Sequence, residues 1–76
     1  MSYFYWACDA YKDADVDSFE YFLVRDIKCD KNFPKLETDK EKIEMYLMSQ
    51  YASPACIDTF RKTYERYAEA QAQHEQ

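Results

Sequence analysis

Seventy-six residues make one domain near the lower size limit for independent folding, where a chain buries only about 60% of the surface it exposes unfolded. Glycine is absent, which excludes phosphate-cradling loops, dinucleotide fingerprints and tight two-residue hairpin turns, all of which need positive φ or close backbone approach. Net charge is −5, so nonspecific binding to nucleic-acid phosphates is disfavoured for the chain as a whole, although a local basic face is compatible with that total.

The bulk of the core has to come from eight tyrosines, five phenylalanines and one tryptophan. In the opening stretch SYFYWACDAY, Phe4, Ala7, Cys8 and Tyr11 fall at i, i+3, i+4 and i+7, predicting a first helix capped by Ser2 with Tyr3, Tyr5 and Trp6 on its flanks. The stretch has no basic leader and no long apolar run, so neither a secretory signal nor a membrane span is expected. Three cysteines without CxxC spacing fit a reduced, cytoplasmic protein.

Next, DADVD places Asp13, Asp15 and Asp17 at the first, third and fifth positions of a calcium loop. Position six is Ser18 instead of glycine and position twelve is Val24 instead of glutamate, so the stretch reads as a solvated acidic loop. Asp17 is expected to cap a second helix, with Glu20 closing the box and Phe19, Phe22, Leu23 and Ile27 as its buried stripe.

Pro34 disfavours helical backbone at Phe33, ending that helix by about Lys31, and Thr38 with Glu41 predicts the cap of a third helix burying Ile43, Tyr46, Leu47 and Met48 up to Tyr51. Within NFPKLETD, Phe33 is expected to plug the space between the second and third helices and Pro34 to fix the turn. Lys35 is left as a candidate surface contact. Ser53 and Pro54 then cap and open a last helix with Ile57, Phe60, Tyr64 and Tyr67 on one face. Past Ala68 the apolar stripe stops, giving a domain over residues 1–70 and a frayed tail over 71–76. With no strand-like alternation, the expectation is an all-α bundle of four or five helices.

Catalysis is not expected. A nucleophilic cysteine or serine needs a base in reach, and the sole histidine, His74, falls in the expected tail. The same histidine is the only nitrogen ligand for Cys8, Cys29 and Cys56, so no metal or other cofactor is expected. The YFYW cluster lacks the cations of a base-stacking platform and reads as core.

The aromatic start, the FPK of Phe33, Pro34 and Lys35 followed by Thr38, Asp39, Ile43, Tyr46 and Leu47, and the closing Phe60, Tyr64 and Tyr67 together resemble the YozE-like family. Its members are small proteins of Gram-positive bacteria. The likeness spans nearly the whole chain, with Lys40 where an aromatic residue is frequent and Tyr64 where tryptophan is usual. The resemblance implies a fold similar to the sterile alpha motif and, since the family has no established biochemical function, no catalytic residues.

Two function classes compete. In the first, the domain is a non-catalytic interaction module for another protein or for itself. It would pair an acidic surface (Asp9, Asp13, Asp15, Asp17) with a basic one (Arg61, Lys62, Arg66), with Lys35 as a further contact. In the second, Arg25, Lys28, Lys31 and Lys35 form a local nucleic-acid face. A third reading is an acidic inhibitor or decoy that mimics nucleic acid. No membrane and no small-molecule substrate is expected.

Overall fold

Serine, aspartate and proline divide the described residues into four helices: α1 Tyr3–Ala10, α2 Phe19–Cys29, α3 Lys40–Ser49 and α4 Pro54–His74. The structure, a computed structural model, describes residues 1–50 and 52–74. The described residues contain no strand, and the fold is an all-α bundle. The central element is α4, which packs against α1, α2 and α3, while α1 also packs against α2.

Each boundary has a local cause. Ser53 Oγ accepts from the Cys56 amide at 3.1 Å and Pro54 opens α4, as its fixed φ favours. The cap of α2 is Ser18, whose Oγ accepts from the Tyr21 amide, instead of the expected Asp17. The Asp17 amide is already turned back onto Asp15 Oδ1 at 2.9 Å, so the acidic loop consumes Asp17 and the helix starts one residue later. Similarly, Glu37 Oε2 accepts from the amides of Thr38 and Asp39, and Asp39, not Thr38, caps α3 by accepting from the Glu41 amide.

The expected stripe of α2 is corrected. Its buried residues are Leu23, Val24 and Ile27, whereas Phe19 is 65% and Phe22 43% exposed. Successive helical residues are about 100° apart, so turning Val24 inward against α1 rotates the opposite flank, with Phe22, toward solvent. In α3, Ile43 and Leu47 are buried and Tyr46 is half-buried, but Met48 is exposed. The α4 stripe of Ile57, Phe60 and Tyr67 is buried, with Thr59 and Thr63 beside it and Tyr64 half-buried. Helix α4 continues to His74, so the expected tail boundary at residue 71 is not a break in the helix.

The centre of the core is Tyr3, expected on a flank and found wholly buried. Its ring lies 5.2 Å from that of Phe60, edge to face, and 5.8–6.3 Å from those of Tyr67, Tyr64 and Trp6. Thr63 Oγ1 donates to the Phe60 carbonyl, which leaves it free to accept from the Tyr3 hydroxyl at 2.8 Å. Ser2 precedes α1 without capping it through its side chain; its Oγ donates instead to the Lys35 carbonyl, tying the start of the chain to the FPK turn. In that turn Phe33 is 4% exposed, 5.7 Å from the Phe4 ring and 5.6 Å from that of Tyr46. It is a plug that joins α1 to α3 as well as closing α2.

Candidate interaction surfaces

The basic side chains of α4 do not form a free stripe. Arg61 Nε donates to Glu44 Oε1 at 2.6 Å, bridging α4 to α3 and holding the Glu44 carboxyl below its usual range. Lys62 pairs with Asp58 at 3.1 Å one turn earlier, and Arg66 Nη1 donates to the Tyr11 hydroxyl at 3.1 Å. These contacts are exposed and weak individually, yet each occupies the cation that a partner would need.

On the acidic side, Asp13, Asp15 and Asp17 are all exposed in the α1–α2 loop, and Asp9 pairs with Lys12 at 3.6 Å. Asp15 has a second role as the acceptor that shapes the loop. Val16, 61% exposed, sits between the acids, and Phe19 and Phe22 follow directly. The two phenylalanines border a small hollow shared with Leu23, Asp26, Cys56 and Thr59, where α2 meets the start of α4. A second hollow of about 470 Å³ also includes Leu23, Asp26 and Cys56 and extends to Ile27 and Leu47. The two share a wall, so one groove runs along the α2–α4 seam with exposed phenylalanines at one end.

The basic residues near the end of α2 divide between two places. Arg25 and Lys28 line a hollow of about 280 Å³ with Lys12, Tyr11 and Tyr21, where α2 meets the end of α1. Lys31 and Lys35 line a shallow depression around Phe33, Pro34 and Leu36. The Lys35 ammonium stands 5.7 Å from the centre of the Phe4 ring, so its charge lies over an aromatic face.

Sequence reading missed the partners of these residues. Helical spacing reveals that Arg61, Lys62 and Arg66 are neighbours, but nothing local points to Glu44 or Tyr11. It also missed Phe19 and Phe22 as surface residues, because their spacing equally fits a buried stripe.

Burial raises the Cys8 and Cys56 thiols above their ordinary range, and all three cysteines are free. Among the described residues no helix is long and apolar enough to cross a membrane. No curated protein and no solved structure matches the chain. A family model described as YozE SAM-like fold matches residues 2–69, covering all of α1, α2 and α3 and most of α4; the chain belongs to that family.

Proposed function

We propose that this domain is a non-catalytic interaction module that binds another protein through the outer face of α2. The observation that carries the reading is the exposure of Phe19 and Phe22 beside the α2–α4 groove. Full burial of one such side chain is worth roughly 1.5–3 kcal/mol, and a domain this small has few to spare. Two adjacent phenylalanines left in water beside an apolar groove have the form of a contact centre. Asp26 lines the same hollow and the exposed acids Asp15 and Asp17 precede Phe19 in the chain, with Arg25 over the Phe22 ring as the one cation beside them among the described residues, so the surface that fits is apolar with lysine or arginine at its rim. The free thiols fit a reducing, cytoplasmic setting.

Self-association through the acidic loop and Arg61, Lys62 and Arg66 of a second copy is a weaker reading, since those cations would have to leave Glu44, Asp58 and Tyr11. The test is capture from host lysate by the immobilised wild-type domain, by Phe19→Ser/Phe22→Ser and by Asp15→Lys/Asp17→Lys, with sedimentation velocity on each. A protein held by the wild type and lost from both variants supports the reading. Identical capture by all three sinks it, and a concentration-dependent dimer lost on Lys62→Glu moves the contact to the charged pair.

A further inference from the structure

The flank of α2 toward α1 carries another hollow with polar groups of its own, although it shares Cys29 with the α2–α4 groove and its Arg25 lies over the Phe22 ring. Tyr21, Val24, Arg25 and Lys28 share one face of α2, and Tyr11 and Lys12 at the end of α1 close a hollow of about 280 Å³ over it. Its floor is apolar, with Val24 only 6% exposed, and Tyr11 and Tyr21 are both half-buried. Three of the lining side chains are cations in a chain whose net charge is −5.

Those cations are available. Arg25 lies over the Phe22 ring at 5.6 Å, which leaves its N–H edge without a protein acceptor among the described residues, and Lys28 has no ion pair among them. Lys12 meets only Asp9, at 3.6 Å between two largely exposed groups. Arg66 donates to the Tyr11 hydroxyl, so the tyrosine keeps its own proton to give to another acceptor and a fourth cation stands beside it. Asp9 already faces Lys12, and none of Asp13, Glu20 or Asp26 forms an ion pair with the cations of the hollow among the described residues.

We infer that this hollow binds a phosphomonoester carried on a flat ring, with Arg25, Lys28 and Lys12 taking the phosphate and the Tyr11 and Tyr21 rings flanking the planar group. Guanidinium and ammonium groups recognise phosphate oxygens, and tyrosine rings pack against flat apolar groups. At about 280 Å³ the hollow lies at the lower edge of the roughly 300–1,000 Å³ range of ligand pockets, which favours a single-ring phosphate or a nucleoside monophosphate over a dinucleotide.

The test is a titration of the ¹⁵N-labelled full chain at low salt with phenyl phosphate and with adenosine monophosphate, using inorganic phosphate and phenol as controls. Saturable shifts at the amides of Lys12, Tyr21, Arg25 and Lys28 are expected, at least tenfold tighter for one of the ring phosphates than for either control. The tighter of the two identifies a phosphorylated phenol or a nucleotide as the source. Arg25→Gln/Lys28→Gln should lose the response with its spectrum otherwise folded, and Lys40→Gln/Lys42→Gln should keep it. Shifts scattered over all lysines, equal affinity for inorganic phosphate, or retained binding in Arg25→Gln/Lys28→Gln would each overturn the assignment.

Discussion

The buried pair of hydroxyls at the centre of the core makes a quantitative prediction. Thr63 is 1% exposed and Tyr3 wholly buried, and the only proton of Thr63 Oγ1 goes to the Phe60 carbonyl, so Tyr3 is the donor in the bond between them. Tyr3→Phe removes the donor and leaves Thr63 short of one bond, a loss of about 1–1.5 kcal/mol. Thr63→Val keeps the β-branched shape but leaves the Tyr3 hydroxyl as a buried, unpaired donor, at about 2–3 kcal/mol. In the double variant neither orphan exists, so only the net worth of the hydrogen bond is lost. Its cost should be about 1–1.5 kcal/mol, well below the sum of the singles, for a coupling of about 2–3 kcal/mol. Half-buried Trp6, packed on Tyr3, reports urea unfolding by fluorescence, and for a domain of this size each 1 kcal/mol moves Tm by about 4–8 °C. Additive costs with unchanged m values would refute the assignment of the two hydroxyls to one bond.

Phe33→Ala should cost about 3–5 kcal/mol, because it opens a cavity among Phe4, Tyr46 and the turn, whereas Phe19→Ala should change stability by no more than about 0.5–1 kcal/mol. Thermal unfolding separates the two, and equal losses would mean that the Phe19 side chain is part of the core. The Tyr46 hydroxyl donates to Asp30 Oδ2, and that bond to a carboxylate, followed by desolvation, pushes its pKa up to about 12. An unfolded tyrosine titrates near pH 10. Between about pH 10 and 12 the unfolded chain releases the proton that the folded one keeps, so the contribution is complete below pH 10 and is lost as pH rises. Urea midpoints should therefore fall from pH 9 to pH 11, less steeply in Tyr46→Phe; an unaltered slope would show that the bond to Asp30 does not form.

Local signals carried most of the fold. Pro34, Ser53 and Pro54 act within a few residues of themselves, so the end of α2 and the start of α4 fall where their chemistry requires. The one-residue errors at Asp17 and Thr38 arose because the next residues, Ser18 and Asp39, are equally good caps and take the Tyr21 and Glu41 amides, and a sequence does not rank neighbouring acceptors. Residues whose partners are distant in the chain were not legible. Arg61 finds Glu44 seventeen residues away and Arg66 finds Tyr11 fifty-five away, so a basic run that spacing presents as a free surface is already engaged. Lys12 reaches the Arg25–Lys28 hollow for the same reason, by the packing of α1 on α2.

The abundance of tyrosine has a physical explanation that bears on function. A small core needs aromatic bulk, but at this size even central residues lie close to water or to backbone that lacks a partner, and a phenol supplies bulk with a polar tip. Tyr3 reaches Thr63, Tyr46 reaches Asp30, Tyr64 donates to the Thr38 carbonyl and Tyr67 to the Met1 carbonyl. The Tyr3 hydroxyl joins α1 to α4, and the other three link α3 or α4 to residues outside the helices, so folding accounts for the three tyrosines expected on buried faces and for Tyr3, which was expected on a flank. Tyr5 is half-exposed with its ring edge-to-face on Phe4, and Tyr51 lies outside the described residues. Phe19 and Phe22 have no such hydroxyl and remain in water beside the groove. Folding explains these four tyrosines and leaves the two phenylalanines over, which is why the outer face of α2 is the surface to test first.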